Sequence, residues 1–180
     1  MSTSTGPNGA GHGVATAKAP TATSRLTTDQ VWHEVANVSF AVFSHVTPTG
    51  EPRSSGVLYA TIDRRLYVVV ATDSWKARHI ATSGRVAVTV PVRRGGILSV
   101  LLPIPPATIS FHAFATVHDG DALQGSPVME RLAPLLPAQR RASCGIVEVC
   151  PAGPFLTYGL GVSLMQMRDP ALARARVPVS

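Results

Sequence analysis

Between residues 38 and 71 three apolar, β-branched or aromatic stretches follow one another on links too short to hold a crossover. They span 38–46, 53–62 and 66–71, and they are separated by Thr47-Pro48-Thr49-Gly50-Glu51-Pro52 and by Asp63-Arg64-Arg65, both with the polar and turn-forming composition of tight connections. Parallel neighbours would need a dozen or more connecting residues, so this run can only form an antiparallel meander. A fourth strand is expected at 85–90, a fifth at 108–118, a sixth at 143–149 and a last one within 155–167. Pro151 and Pro154 separate the last two by breaking the chain. Most of the apolar runs are nearly continuous rather than alternating. Both faces of the sheet should therefore be covered, as in a closed barrel with helices or a second subunit outside.

Helices are few and short. Thr27 or Thr28 caps one over residues 29–37, with Val31 and Val35 on one face. Ser126-Pro127 opens another, with proline at the first helical position. The third matters most for function. Strand 66–71 runs into Thr72-Asp73-Ser74, three good capping residues, and then into the helix-compatible 75–82. A helix start of this kind presents unpaired backbone N–H groups and the positive end of the helix dipole, which suits a phosphate. Of the sixteen Lys and Arg residues only Lys18 and Lys76 are lysines, and Lys76 sits in this turn with Arg78 beside it. Against this stands the plainer possibility that Thr72 to Ser74 only cap a surface helix and Lys76 is a solvated charge.

Residues 1–24 are Ser, Thr, Gly, Ala and Pro with almost no large apolar side chain, a tail that cannot offset its ordering entropy by burial. The expected organisation is that tail, one barrel domain over 25–168, and an exposed basic tail from 169 to 180. No secretory apolar region and no run of about 18 apolar residues occurs, so a cytoplasmic protein without a membrane span is expected. The formal charge of +6 allows polyanionic partners, but the strands lack interleaved basic and aromatic residues for stacking bases, which argues against a nucleic-acid-binding barrel. Cys144 and Cys150 carry neither metal-ligand spacing nor a histidine cluster, and six residues along one strand is too far for a mutual bridge. No metal site is expected. The apolar, glycine- and proline-rich segment 93–106 is either a loop tucked against its own barrel or a flap over a ligand or dimer contact.

The order of elements, the Thr72-Asp73-Ser74-Trp75-Lys76-Ala77-Arg78 turn, Gly84-Arg85-Val86-Ala87-Val88 and the late Ile146-Val147-Glu148-Val149 strand resemble the pyridoxamine 5′-phosphate oxidase-like split β-barrel family. Its members include flavin- and deazaflavin (F420)-binding oxidoreductases. The resemblance covers about residues 31–149 and implies a mainly β protein, a six- to seven-stranded antiparallel split β-barrel with a few short helices. It also implies a homodimer that holds FMN or F420 in a groove between subunits. Carried over residue by residue, the family's S-x-K turn puts Ser74 and Lys76 on the cofactor phosphate, with Thr72 and Arg78 near. Pro52-Arg53-Ser54-Ser55-Gly56-Val57 resembles the P-R-x-S-x-V strand that lines the ring, which assigns Arg53, Ser55 and Val57. The substrate-phosphate pattern of the vitamin B6 oxidases is missing near the C-terminus, so oxidation of pyridoxamine phosphate is not expected. Arg93 and Arg94 would suit the longer anionic tail of F420.

The implied activity is hydride transfer to or from a small organic substrate. The catalytic residues are unknown at this stage: His45, His79, His112 and His118 look scattered along the chain and none is assigned. The alternative is a non-catalytic cofactor-binding or haem- or tetrapyrrole-binding protein of the same fold.

Overall fold

The computed structural model describes residues 26–94, 105–136 and 144–180. Helix α1 (Thr28–Ala36) is followed by the meander β1 (Phe40–Val46), β2 (Pro52–Ile62) and β3 (Arg65–Ala71). Then come α2 (Trp75–Ser83), β4 (Arg85–Val92), β5 (Ala107–Asp119), a short α3 (Pro127–Leu132), β6 (Cys144–Tyr158), a four-residue α4 (Pro170–Ala173) and β7 (Arg174–Pro178). The strands lie in the order β3-β2-β1-β4-β5-β6-β7, and β3 also pairs with β6 from Leu66↔Val149 to Ala71↔Cys144. That second pairing closes six antiparallel strands into a barrel and leaves β7 outside it, the architecture expected for a split β-barrel.

Local chemistry explains where the elements begin and end. Thr27 and Gln30 form a capping box at the start of α1. The β2–β3 hairpin turns on Asp63 and Arg64, both with positive φ (49° and 58°), the geometry a two-residue turn needs to match strand twist. Ser74 caps α2 by accepting the Ala77 amide, and Gly84 ends that helix at φ 60°, where a side chain would be strained.

The barrel interior holds one apolar cluster built from alternate strand positions such as Phe43, Tyr59, Val68, Val88 and Val149. Helix α1 adds Val31, Trp32 and Val35 to it. Trp32 and Phe111 each meet Phe155 edge-on, with ring centroids 5.3 and 5.2 Å apart. The buried Tyr59 hydroxyl donates to the Val35 carbonyl at 2.6 Å, satisfying one of the acceptors that the end of α1 leaves open. Outside the barrel, Val128 and Leu132 of α3 cover Tyr67 and Ile146 in a second, smaller cluster. The outer face of β1, β2, β4 and β5 is apolar in part. It exposes Phe40, Leu58, Phe114 and, on neighbouring β6, Leu156.

Three expectations for the C-terminal third are corrected. Pro151 and Pro154 do not break the chain, because β6 runs through both of them. Its β3 partner stops at Val149 and its β7 partner starts at Pro154. Over that gap β6 is an edge, and a residue without an N–H costs no ladder bond there. The register against β5 also slips between Ser110 and His112, around Gly153 at φ 67°, so the second proline falls at a bulge. The last strand is consequently Arg174–Pro178, not a segment within 155–167. Residues 169–180 are no exposed tail: Ala173 and Val177 are buried, and the backbone of β7 pairs with Pro154 through Tyr158. The expected disordered segment 1–24 and most of the 93–106 loop lie outside the described residues.

Candidate site at the α2 end of the barrel

The strand that ends at Val46 and the strand that begins at Pro52 pair so that His45 faces Arg53, with Phe43 opposite Ser55 one layer deeper and Ala41 opposite Val57 below that. Cross-strand partners share a face, so His45, Arg53 and Ser55 line one wall at a single end of the barrel. Helix α2 closes that end. Trp75 and His79 are one turn apart on it, and their rings meet His45 in a triangle. The centroids are 5.5 Å apart for His45–Trp75, 5.7 Å for His45–His79 and 5.5 Å for Trp75–His79. In front of this triangle a cleft of about 370 Å³ is lined by Thr47, Arg53, Trp75 and His79.

Burial and hydrogen bonding single the cluster out. His45 is only 3% exposed, yet both of its ring nitrogens lack a partner, as do Nδ1 of His79 and the buried Oγ of Ser55. An unsatisfied polar atom in a dry interior costs about 1–3 kcal/mol, and the other described side-chain polar atoms that are fully buried have partners. All four of these atoms lie at one end of one barrel. The charged groups that act on His45 have one sign. Burial pushes His45 below the ordinary histidine value, and His79, Lys76 and Arg53 push it further the same way, so no carboxylate is among the groups acting on it. Burial likewise lowers Lys76. Arg53 is partly neutralised by Glu51 at 2.9 Å, with both side chains in solvent.

The expected cofactor residues fall into three groups. Arg53 lines the cleft, Lys76 acts on His45 from α2, Ser55 pairs with Phe43 one layer below, and Ser74 sits at the start of α2. Ser74 spends its oxygen as an acceptor in capping α2 and keeps its O–H to donate. Arg78 is exposed and folds back toward the Asp73 carbonyl, while Thr72 stands exposed at the end of β3. Val57 is 7% exposed and belongs to the barrel core, so its side chain does not reach the cleft. His45 and His79 were missed, and they are not scattered: the hairpin register and one turn of helix bring them together. The signal was present in the 45↔53 pairing that a turn over 47–52 forces, and in the i, i+4 spacing of Trp75 and His79.

The second basic feature is elsewhere. Arg94 is engaged, donating to the Val162 carbonyl and to the Met167 sulfur, and with Arg93 it follows β4 at the end opposite α2. It is therefore not a spare cation beside Lys76. On the outer wall Glu148 takes hydrogen bonds from Arg65 and His118, a structural ion cluster away from the cleft. Among the described residues no three His, Cys, Asp or Glu side chains are grouped to hold a metal, and no helix is long and apolar enough to cross a membrane.

No protein-family model and no curated protein matches the chain. Solved structures do. A FAD-binding protein from Mesorhizobium loti superposes with a TM-score of 0.56 at 15% identity, covering 71% of this chain and 91% of that one. A putative pyridoxamine 5′-phosphate oxidase from Listeria innocua gives 0.52 at 12% identity over 69% and 92%. The haem storage protein of Vibrio cholerae gives 0.53 at 12% identity over 76% and 98%. At such identities the likeness establishes the pyridoxamine oxidase-like split-barrel fold and nothing finer.

Proposed function

We propose that this split-barrel chain binds the phosphate of a flavin-type cofactor, FMN or F420, at the α2 end of the barrel and acts as an oxidoreductase on a small organic substrate. One observation carries the reading: the orphaned polar atoms of His45, His79 and Ser55 lie together, among the cations Arg53 and Lys76, at the mouth of a cleft. Such a donor set fits a phosphate dianion that takes Arg53 over from the exposed Glu51. When bound, the flavin or deazaflavin ring supplies hydride chemistry, and the protein supplies anchoring and a shaped pocket.

The chain's own residues divide that work. Lys76 is a point charge at the start of α2, where the Trp75 and Lys76 amides have no intrahelical acceptor. Arg53 closes the cleft from the β1–β2 side, and the Ser74 hydroxyl can donate while its oxygen caps the helix. The outer face with Phe40, Leu58, Phe114 and Leu156 suits a second copy of the chain, giving a homodimer. FMN is the cofactor to test first, because Arg94, one of the two arginines that argued for the F420 tail, is already bonded.

The test is a titration of cofactor-free protein with FMN, riboflavin, F420 and haem, followed by ligand fluorescence or absorbance. Binding of FMN at least tenfold tighter than riboflavin supports the phosphate assignment. Equal affinity for the two removes it, and tight haem binding with no flavin binding replaces the oxidoreductase reading with the haem-binding one.

A further inference from the structure

The His45–His79–Trp75 triangle does something that a plain phosphate cradle would not need. Lys76, Arg53 and the α2 start already provide fixed positive charge, yet the group buried most completely behind them is an imidazole, the one side chain whose charge changes near neutral pH. Neither of its nitrogens has a partner, and its ring meets Trp75 and His79 at tilted angles of 36° and 47°, behind the residues that line the cleft. Every charged or titratable group acting on it, Arg53 from β2 and Lys76 and His79 from α2, is cationic or can become so. In the absence of an anion, burial and these neighbours all disfavour protonation of His45.

A dianion in the cleft reverses that field. We propose that the His45–His79 pair, roofed by Trp75, makes anion binding a proton-coupled event: a phosphomonoester dianion seated at Arg53 and Lys76 draws one proton from solvent onto His45, which then donates to it or to His79. This rests on the phosphate reading of the cleft and adds its regulation. The consequence has a definite sign. Between the titration midpoints of the free and the liganded protein, affinity for a dianion falls by at most about tenfold per pH unit as pH rises, the limit set by one coupled proton. Above the liganded midpoint it levels off at the affinity of the neutral histidine form. Trp75 is the built-in reporter, because its half-exposed indole stands 5.5 Å from both imidazoles, and the other tryptophan, Trp32, is packed in the core.

The probes are inorganic sulfate, which stays dianionic through the histidine range, and FMN. Intrinsic fluorescence is titrated with pH in saturating sulfate and in chloride at equal ionic strength. FMN binding is then measured by calorimetry in buffers of different ionisation enthalpy to count protons taken up. The expected result is an upward shift of the fluorescence midpoint of one pH unit or more in sulfate, absent in Trp75→Phe, and net proton uptake on FMN binding. His45→Gln should abolish the uptake and flatten the pH dependence while still binding more weakly. If that variant does not fold, Trp75→Phe keeps the calorimetric count, and the wild-type sulfate titration decides by itself. Sulfate and FMN binding that is pH-independent, with no proton taken up, overturns the coupling and leaves the phosphate site standing. Failure of both ligands to bind at any pH overturns the two together.

Discussion

Replacing Lys76 with Met separates a ligand-binding lysine from an ordinary surface charge, because the two predict opposite changes in stability and affinity. Lys76 is half-buried at the start of α2, and burial holds its ammonium below the usual lysine range. A lysine whose folded pKa is depressed is disfavoured in its charged form by folding. That cost is present in full below the folded value and fades as pH rises toward the unfolded value near 10.4, so stability climbs across that window. Methionine keeps the aliphatic stem and removes the charge. The variant should be at least as stable as the wild type at pH 7 and should lose the alkaline rise. Binding moves the other way. At about 4 Å and an effective dielectric of about 20, an ammonium and one phosphate charge attract by about 4 kcal/mol, of which desolvation leaves about 1.5–3 kcal/mol. At about 1.4 kcal/mol per decade this is a loss of roughly 10- to 150-fold in FMN affinity. Urea denaturation with unchanged m, beside an FMN titration, reads both quantities. Unchanged affinity would refute the phosphate assignment, and a joint fall in stability and affinity would show that Lys76 acts through the fold.

Tyr59→Phe removes the donor that satisfies the Val35 carbonyl and should lower unfolding free energy by about 1–2 kcal/mol; a urea midpoint equal to wild type would mean that water replaces the hydroxyl. At Glu148, burial alone would raise the carboxyl, but the hydrogen bonds and charges of Arg65 and His118 outweigh it and hold it below the usual range. Its stabilisation is present above about pH 4.3 and is lost as pH falls through the folded value. Glu148→Gln should therefore be less stable at pH 7 and lose less on acidification, read as a shallower acid limb in thermal melts. Leu58→Glu on the outer face should give a folded monomer by light scattering, whereas a persistent dimer would place the contact elsewhere.

The first half of the chain was legible because its constraints are local. Link lengths fix the meander, Ser74 caps α2 by its own side chain, and Thr27 and Gln30 complete a capping box within one turn. The C-terminal third was not, since its rules are set by neighbours. Whether Pro151 breaks β6 depends on where β3 and β7 stop pairing with it, which the proline itself does not reveal. Strand β7 reads as a basic tail because Arg174 and Arg176 are exposed at alternate positions while Ala173 and Val177 turn inward. The site divides the same way. Ser74 and Lys76 announce a helix start, but His45 and His79 belong to different elements, and only closure of the barrel end joins them.

Geometry also bears on which ligand class the cleft takes. A haem-binding reading needs an imidazole nitrogen free to meet iron with room beside it for a macrocycle. His45 has the free nitrogens but no room, because Trp75 and His79 stand within 5.5 and 5.7 Å of its ring. A compact anion asks for less. It needs only to reach Arg53, Lys76 and the α2 amides, and the imidazoles behind them can respond through a proton without moving. The cluster therefore favours a ligand that enters phosphate first, and in the proposed homodimer the second copy would cover the ring that follows. On this arrangement Leu58→Glu, which leaves every phosphate contact intact, should weaken FMN binding toward that of inorganic phosphate. If affinity in a proven monomer stays at the wild-type level, one chain suffices to hold the ring.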